Sequence, residues 1–278
     1  MKNFKTKTIL MLFITVLLFT GCDDDDSNPV NPNLDSKTYQ LFERSDSGVS
    51  GIATFTDQTD GSVLVELDVT GTPQDGMHPS HIHFNTAAEG GAIAVSLNSV
   101  DGATGTSQTF VSETDDGTPL DYNALLNFDG YINIHLSADE LETVVAQGDI
   151  GQNELTGESI TYDLGEKDVP GISGTVTFEE RVNGEAQATI MLTGTPDGGM
   201  HPAHIHANSA SEGGPILYTF GAVDGTTGMI RTNISELDDE TAFGYADILA
   251  VDGYVNVHLS MDQLATIVAQ GNIGANAM

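Results

Sequence analysis

The segment Gly76–Gly91 reads GMHPSHIHFNTAAEGG, and Gly199–Gly214 answers it with GMHPAHIHANSASEGG. The same offset of 123 residues carries His78, His81, His83 and His135 onto His201, His204, His206 and His258, which uses all eight histidines of the chain. It also carries Tyr39 to Tyr162, Gly51 to Gly174, Phe55 to Phe178 and Gly148 to Gly271, and it turns DGYINIHLS (129–137) into DGYVNVHLS (252–260) without a net gap. A self-similar unit of roughly 120 residues is the size of one ordinary domain, so the chain reads as two homologous domains in tandem. They are expected at residues 39–157 and 158–278.

Each unit reads as β. Val63, Val65, Leu67 and Val69 alternate with polar or exposed neighbours, and Ala186, Ala188, Ile190 and Leu192 keep the same phase in the second copy. Ile93, Val95 and Leu97 alternate likewise, matched by Ile216, Tyr218 and Phe220. Period-two apolar spacing broken by Gly, Asp and Thr turns predicts antiparallel strands in a sandwich or barrel. One short helix is expected near the C-terminal end of each unit. In HLSADELETVVAQGDIG, Ser137 and Glu140 have capping-box spacing, Leu141, Val144 and Val145 form an apolar stripe, and Gly148 suits a C-terminal cap. The counterpart runs from Ser260 and Gln263 through Leu264, Ile267 and Val268 to Gly271.

Ahead of the repeat, MKNFKTK and the apolar run TILMLFITVLLFTGC have the form of an export signal, residues 1–22, ending at the only cysteine. Leu18–Cys22 resembles a bacterial lipobox, which makes Cys22 the lipidated N-terminus and the membrane anchor. Residues 23–38, opening with DDDDSNPVNPN, have almost nothing to bury and are expected to be a disordered acidic tether. An acidic run at that place resembles the surface-export signal of bacterial lipoproteins, so the expected location is the cell envelope, on the outer membrane and exposed at its surface. Loss of Lys2, Lys5 and Lys7 takes the formal charge from −33 to −36, with five basic against 41 acidic residues. Such an excess argues against nucleic-acid partners and favours cations. No cysteine is left for a disulfide, so packing or a bound ion must supply stability.

The histidines carry the chemistry. Strand parity places His81 and His83 on one face and Ile82 on the other, and it places Tyr131, Asn133 and His135 opposite Ile132 and Ile134. The isoleucine faces belong to the core, so the imidazoles are expected on the outer side of the sheet or in a groove there. Adjacent strands lie about 4.8 Å apart, so neighbouring HIH and NIH strands would let three nitrogens meet on one ion. Three neutral nitrogen ligands suit Zn or Cu, one ion per domain, through His81, His83 and His135 and through His204, His206 and His258. His78 and His201 are weaker candidates, because Pro79 and an odd spacing leave their direction open. Asn85, Glu89 and Met77 are weaker still, and Asp129 and Asp252 are candidates for Ca²⁺. The competing reading is that the histidines only orient loops through hydrogen bonds.

These residues resemble the CHRD domain family, named for chordin. The likeness is carried by AHIH followed by GGPI, by the YVNVH strand, by the leading SGTVTF strand and by the closing GDIG pattern. It covers both repeats and implies immunoglobulin-like β-barrels and a poorly defined function, with extracellular protein binding in the chordin context, a partner class that does not carry over to a bacterial lipoprotein. The helix after His135 and His258 departs from the family pattern. A fainter likeness is to copper–zinc superoxide dismutase, which sets a strand HxH beside a later strand His on a Greek-key barrel. Against that activity stand the missing disulfide, the lack of an obvious bridging histidine and a charge that repels superoxide. No nucleophile–base pair or phosphate loop is present. The reading is therefore a lipid-anchored, non-catalytic metal-binding module, with a protein- or glycan-binding scaffold and a redox enzyme as the alternatives.

Overall fold

The computed structural model describes residues 34–277. The expected signal segment, Cys22 and most of the 23–38 tether lie outside them. The first strand, β1 (Ser36–Glu43), already takes in the last three residues assigned to that tether.

The first unit continues with β2 (Ser50–Asp57), β3 (Val63–Thr70), β4 (Met77–Phe84), β5 (Ile93–Asp101), β6 (Thr106–Val111), α1 (Tyr122–Leu126), β7 (Asp129–Ser137) and β8 (Glu140–Gly151). The second repeats this as β9 (Leu155–Glu166), β10 (Ser173–Arg181), β11 (Ala186–Thr193), β12 (Met200–Ala207), β13 (Ile216–Asp224), β14 (Met229–Ile234), α2 (Tyr245–Ala250), β15 (Asp252–His258) and β16 (Ile267–Gly274). Each unit is a closed antiparallel barrel. The neighbour order is β1-β2-β3-β6-β5-β4-β7-β8 in the first and the equivalent order in the second. Because β3 lies beside β6 and β4 beside β7, this is a Greek key closed on itself, which leaves no free sheet edge. The barrels part between β8 and β9, a few residues before the expected 157/158 boundary.

The predicted alternation fills the interior. Val63, Val65, Leu67 and Val69 are buried, as are Ala186, Ala188, Ile190 and Leu192 of the second barrel. Ile82, Ile132 and Ile134 join Tyr39, Leu41 and Phe55 in one core. Ile93 and Ile216 depart from the pattern and are exposed, because the β4–β5 and β12–β13 ladders each shift register beside them.

The helix is the clearest correction. Each barrel has its short helix near the C-terminal end, but it precedes the NIH strand instead of following it. Asp121 caps α1, its Oδ1 accepting from the Ala124 amide at 2.8 Å, and Leu125 and Ile248 plug the barrels from α1 and α2. The expected helix is β8, with Leu141 exposed and Val145 and Ala146 buried. Helical spacing over so short a stretch also fits a strand, and Thr143-Val144-Val145 favours one once β1 and β7 offer partners on both sides. Gly148 is not a cap. A Cβ there would run into the Gln40 carbonyl of β1, so glycine lets the closing strands approach. In the second copy a single 3-10 turn, Met261–Gln263, is all that remains helical in that region.

Candidate metal centre

β4 and β7 are neighbours, paired in the register His81↔Asn133 and His83↔Tyr131. Direct partners share a face, so His81, His83, Tyr131 and Asn133 stand together on the outside of the barrel, and His135 joins them two residues further along β7. β12 and β15 repeat the arrangement with His204↔Asn256 and His206↔Tyr254. One ligand nitrogen from each of His81, His83 and His135 lies within 4.8 Å of the other two, and the same holds for His204, His206 and His258. The ring centroids are 5.7, 5.2 and 6.4 Å apart in the first triad, and 5.8, 5.0 and 6.4 Å apart in the second.

The face is outer but not open. His83 and His135 are only 9% and 6% exposed; in the second barrel His204 and His258 are buried to the same degree, while His206, the counterpart of His83, is half-buried. The loop after β4, residues 85–92, folds back over the ring of His83. Its Gly91 carbonyl accepts from His83 Nδ1 at 3.0 Å, and its Gly91 amide donates to the Tyr131 hydroxyl at 3.2 Å. Tyr131 lies flat on His83 with centroids 5.0 Å apart and an interplanar angle of 15°. The second barrel repeats the carbonyl contact through Gly214 and the ring stack through Tyr254.

Those carbonyls decide the tautomers. A carbonyl only accepts, so Nδ1 of His83 and of His206 carries the proton and Nε2 presents a lone pair. His258 Nδ1 likewise donates to the Leu264 carbonyl at 2.6 Å. In the first barrel neither ring nitrogen of His135 has a hydrogen-bond partner, so no carbonyl sets its tautomer. Buried nitrogens with no hydrogen-bond partner are Nδ1 of His81, Nε2 of His83 and both nitrogens of His135 in the first triad, and Nδ1 of His204 with Nε2 of His206 and His258 in the second; outside the triads, Nε2 of His78 and of His201 is in the same position. An unsatisfied buried polar atom costs about 1–3 kcal/mol, and imidazole lone pairs brought within 4.8 Å of one another also repel. A cation between them removes both penalties. The residues fit a three-nitrogen metal site.

Protonation gives the same answer. Burial first, then the neighbouring His258 and His206, lower the His204 pKa to about 4. Burial also lowers His81, His135 and His258, each with a further push from another triad member. The Asp115 and Asp238 carboxylates act the other way on His81 and His204 without reversing the shift. The affected rings are thus neutral at pH 7, which is the ligand form.

His78 and His201 stand apart from the triads. Both are fully buried, and each donates from Nδ1 to the carbonyl of the last triad histidine, His135 or His258, at 3.2 Å. They brace the backbone that carries a triad member. Glu89 and Asn85 close the covering loop, Glu89 Oε2 accepting from Thr86 Oγ1 at 2.7 Å and Asn85 Nδ2 donating to the Gly90 carbonyl. Met77 is exposed. Asp129 and Asp252 accept from Asn153 and Asn276 as part of the repeat's own framework. Sequence reasoning missed the stacking role of Tyr131 and Tyr254, although parity had put Tyr131 on the right face. It had no means of finding Asp115 and Asp238, which reach the site from loops.

The CHRD domain profile matches residues 33–140, a span that takes in β1 to β7 and the whole first triad. The second barrel has the same strand order and the same triad, as a second repeat would. No curated protein matches the chain.

Proposed function

The chain carries a CHRD domain at residues 33–140 and builds the same barrel a second time, and from that premise we propose that it is an exported, lipid-anchored module of the cell envelope that binds one copper or zinc ion per barrel without catalysing a reaction. His81, His83 and His135 hold one ion, and His204, His206 and His258 hold the other. The observation that carries this reading is the convergence of buried, partnerless imidazole nitrogens in both barrels. A bracing histidine can leave one buried nitrogen without a partner, as His78 and His201 do, so the reading rests on three such rings meeting within 4.8 Å in each barrel.

A bound ion would supply positive charge where three lone pairs meet, and it would tie β4 to β7 and β12 to β15. The protein's part is to fix the ring orientations through Gly91, Gly214 and Leu264 and to limit water access through the covering loops. Anchoring through Cys22 and a location at the bacterial surface rest on the lipobox-like ending and the acidic run behind it.

Elemental analysis of the purified full chain tests the reading. Roughly two copper or zinc ions per chain are expected, with one lost in the H81A/H83A variant and both lost when H204A/H206A is added. No uptake at micromolar copper or zinc would leave the scaffold reading in its place. Dismutase or oxidase turnover by the copper-loaded protein would replace the non-catalytic reading with a redox one.

A further inference from the structure

A cleft of about 340 Å³ runs between the two barrels, within the size range of small-ligand sites. Its lining draws on the end of β1, on β8 and β9, and on β10, β11 and β14 of the second barrel. The chain has only five basic residues beyond position 7, and two of them, Arg44 and Arg231, lie here.

The charges in the lining are unevenly satisfied. Asp149 pairs with Arg181 at 2.7 Å and Glu154 with Lys37 at 2.6 Å. Glu179 accepts from Gln187 at 2.8 Å, and Glu43 accepts from the Gly48 amide at 2.7 Å. Every lining carboxylate therefore has a donor. Neither arginine has a side-chain hydrogen bond or an ion pair among the described residues, although the molecule offers a large excess of acids. The two guanidiniums also sense each other: partial burial, then the Arg231 charge, lower the Arg44 pKa. Like charges held together without counter-ions are costly in water, and worse beside a partly dry wall.

The rest of the lining narrows the ligand. Phe42, 62% exposed, offers an aromatic side chain to the lining, and Leu155 adds a second apolar one. Gln40 presents an amide, and Glu43 and Glu179 retain lone pairs that accept hydroxyl groups. We propose that this inter-barrel cleft binds a small hydroxylated organic anion, a sugar acid or sugar sulfate, with its anionic group between Arg44 and Arg231 and its apolar face on Phe42. Guanidinium forks match carboxylate and sulfate geometry. Arg181 and Lys37 neutralise Asp149 and Glu154, Arg44 and Arg231 balance Glu43 and Glu179 within the lining, and a Debye length of about 8 Å at physiological salt screens the more distant negative surface.

Calorimetric titration of the full chain with glucuronate, glucose 6-sulfate, glucose and inorganic sulfate tests this. Glucuronate or glucose 6-sulfate is expected to bind at millimolar concentration or below, and the better of the two identifies the group preferred. Glucose should bind at least about tenfold more weakly, and Arg44→Gln and Arg231→Gln should each weaken the acidic sugar about tenfold. Phe42→Ala should weaken the sugar without affecting inorganic sulfate. All three side chains are exposed, and an unchanged circular dichroism spectrum confirms that the variants fold. The proposal is overturned if neither acidic sugar binds at millimolar concentration, if both arginine variants bind like the parent, or if glucose or inorganic sulfate binds as well as the acidic sugars.

Discussion

Arg181 is 1% exposed and holds the two barrels together. Its Nη1 donates to Asp149 Oδ2 at 2.7 Å and to the Asn153 carbonyl, both in or just after the last strand of the first barrel. Its Nε donates to Asn233 at 2.8 Å and its Nη2 to Gln187 at 3.2 Å, both in the second. Replacing it by Gln, the residue at the equivalent position 58, strands the Asp149 charge, which is only 11% exposed, and strips several acceptors of their donor. Breaking one side of a buried ion pair costs about 3–5 kcal/mol, against a total domain stability of about 5–15 kcal/mol. Asp149→Asn leaves the fully buried Arg181 guanidinium without its counter-charge, so it too is destabilising, but it keeps one contact. The equivalent Asn272 accepts from the Ala210 amide at 2.9 Å just as Asp149 accepts from Ala87 at 2.7 Å, so the loop contact survives. Urea unfolding followed by circular dichroism should show Arg181→Gln losing about 3–5 kcal/mol and splitting into two transitions as the barrels uncouple. Adding Asp149→Asn should recover part of that loss, with a coupling of about 1–3 kcal/mol. An Arg181→Gln protein that unfolds in one transition within about 1 kcal/mol of the parent would refute the assignment of this arginine as the joint.

Two further outcomes follow from the triads. In metal-free protein the His204 pKa, lowered to about 4, lies below its unfolded value near 6.5, so the unfolded chain binds more protons between those limits. Stability is then full above about pH 6.5 and falls as the pH drops towards 4, by an amount on the order of 2 kcal/mol; denaturant titrations across that range check it, and a flat profile would count against a neutral buried ring. Tyr131→Ala removes the ring stacked on His83 and the hydroxyl that meets the Gly91 amide, so the first barrel should lose about 10–100-fold in zinc or copper affinity while the second keeps its own. Competition with a chromogenic chelator reads the two sites separately.

Repetition and parity made much of this protein legible before any coordinates. The 123-residue offset showed the duplication, and alternation placed Ile82, Ile132 and Ile134 inward and His81, His83 and His135 on the opposite face. Both are local properties: a copied sequence keeps its pattern, and a strand's period of two does not depend on its neighbours. The helix was misplaced because LETVVAQG fits either period, and only pairing with β7 and β1 could settle it. The closeness of the imidazoles likewise depended on β4 and β7 being neighbours, which the Greek-key order decides and no single segment encodes. Burial of those rings, the carbonyls that set their tautomers and the Arg181–Asp149 joint all arise between segments far apart in the chain. The sequence alone established which residues could face one another; the closing of each barrel established which ones meet, because contact across strands is a property of the whole sheet.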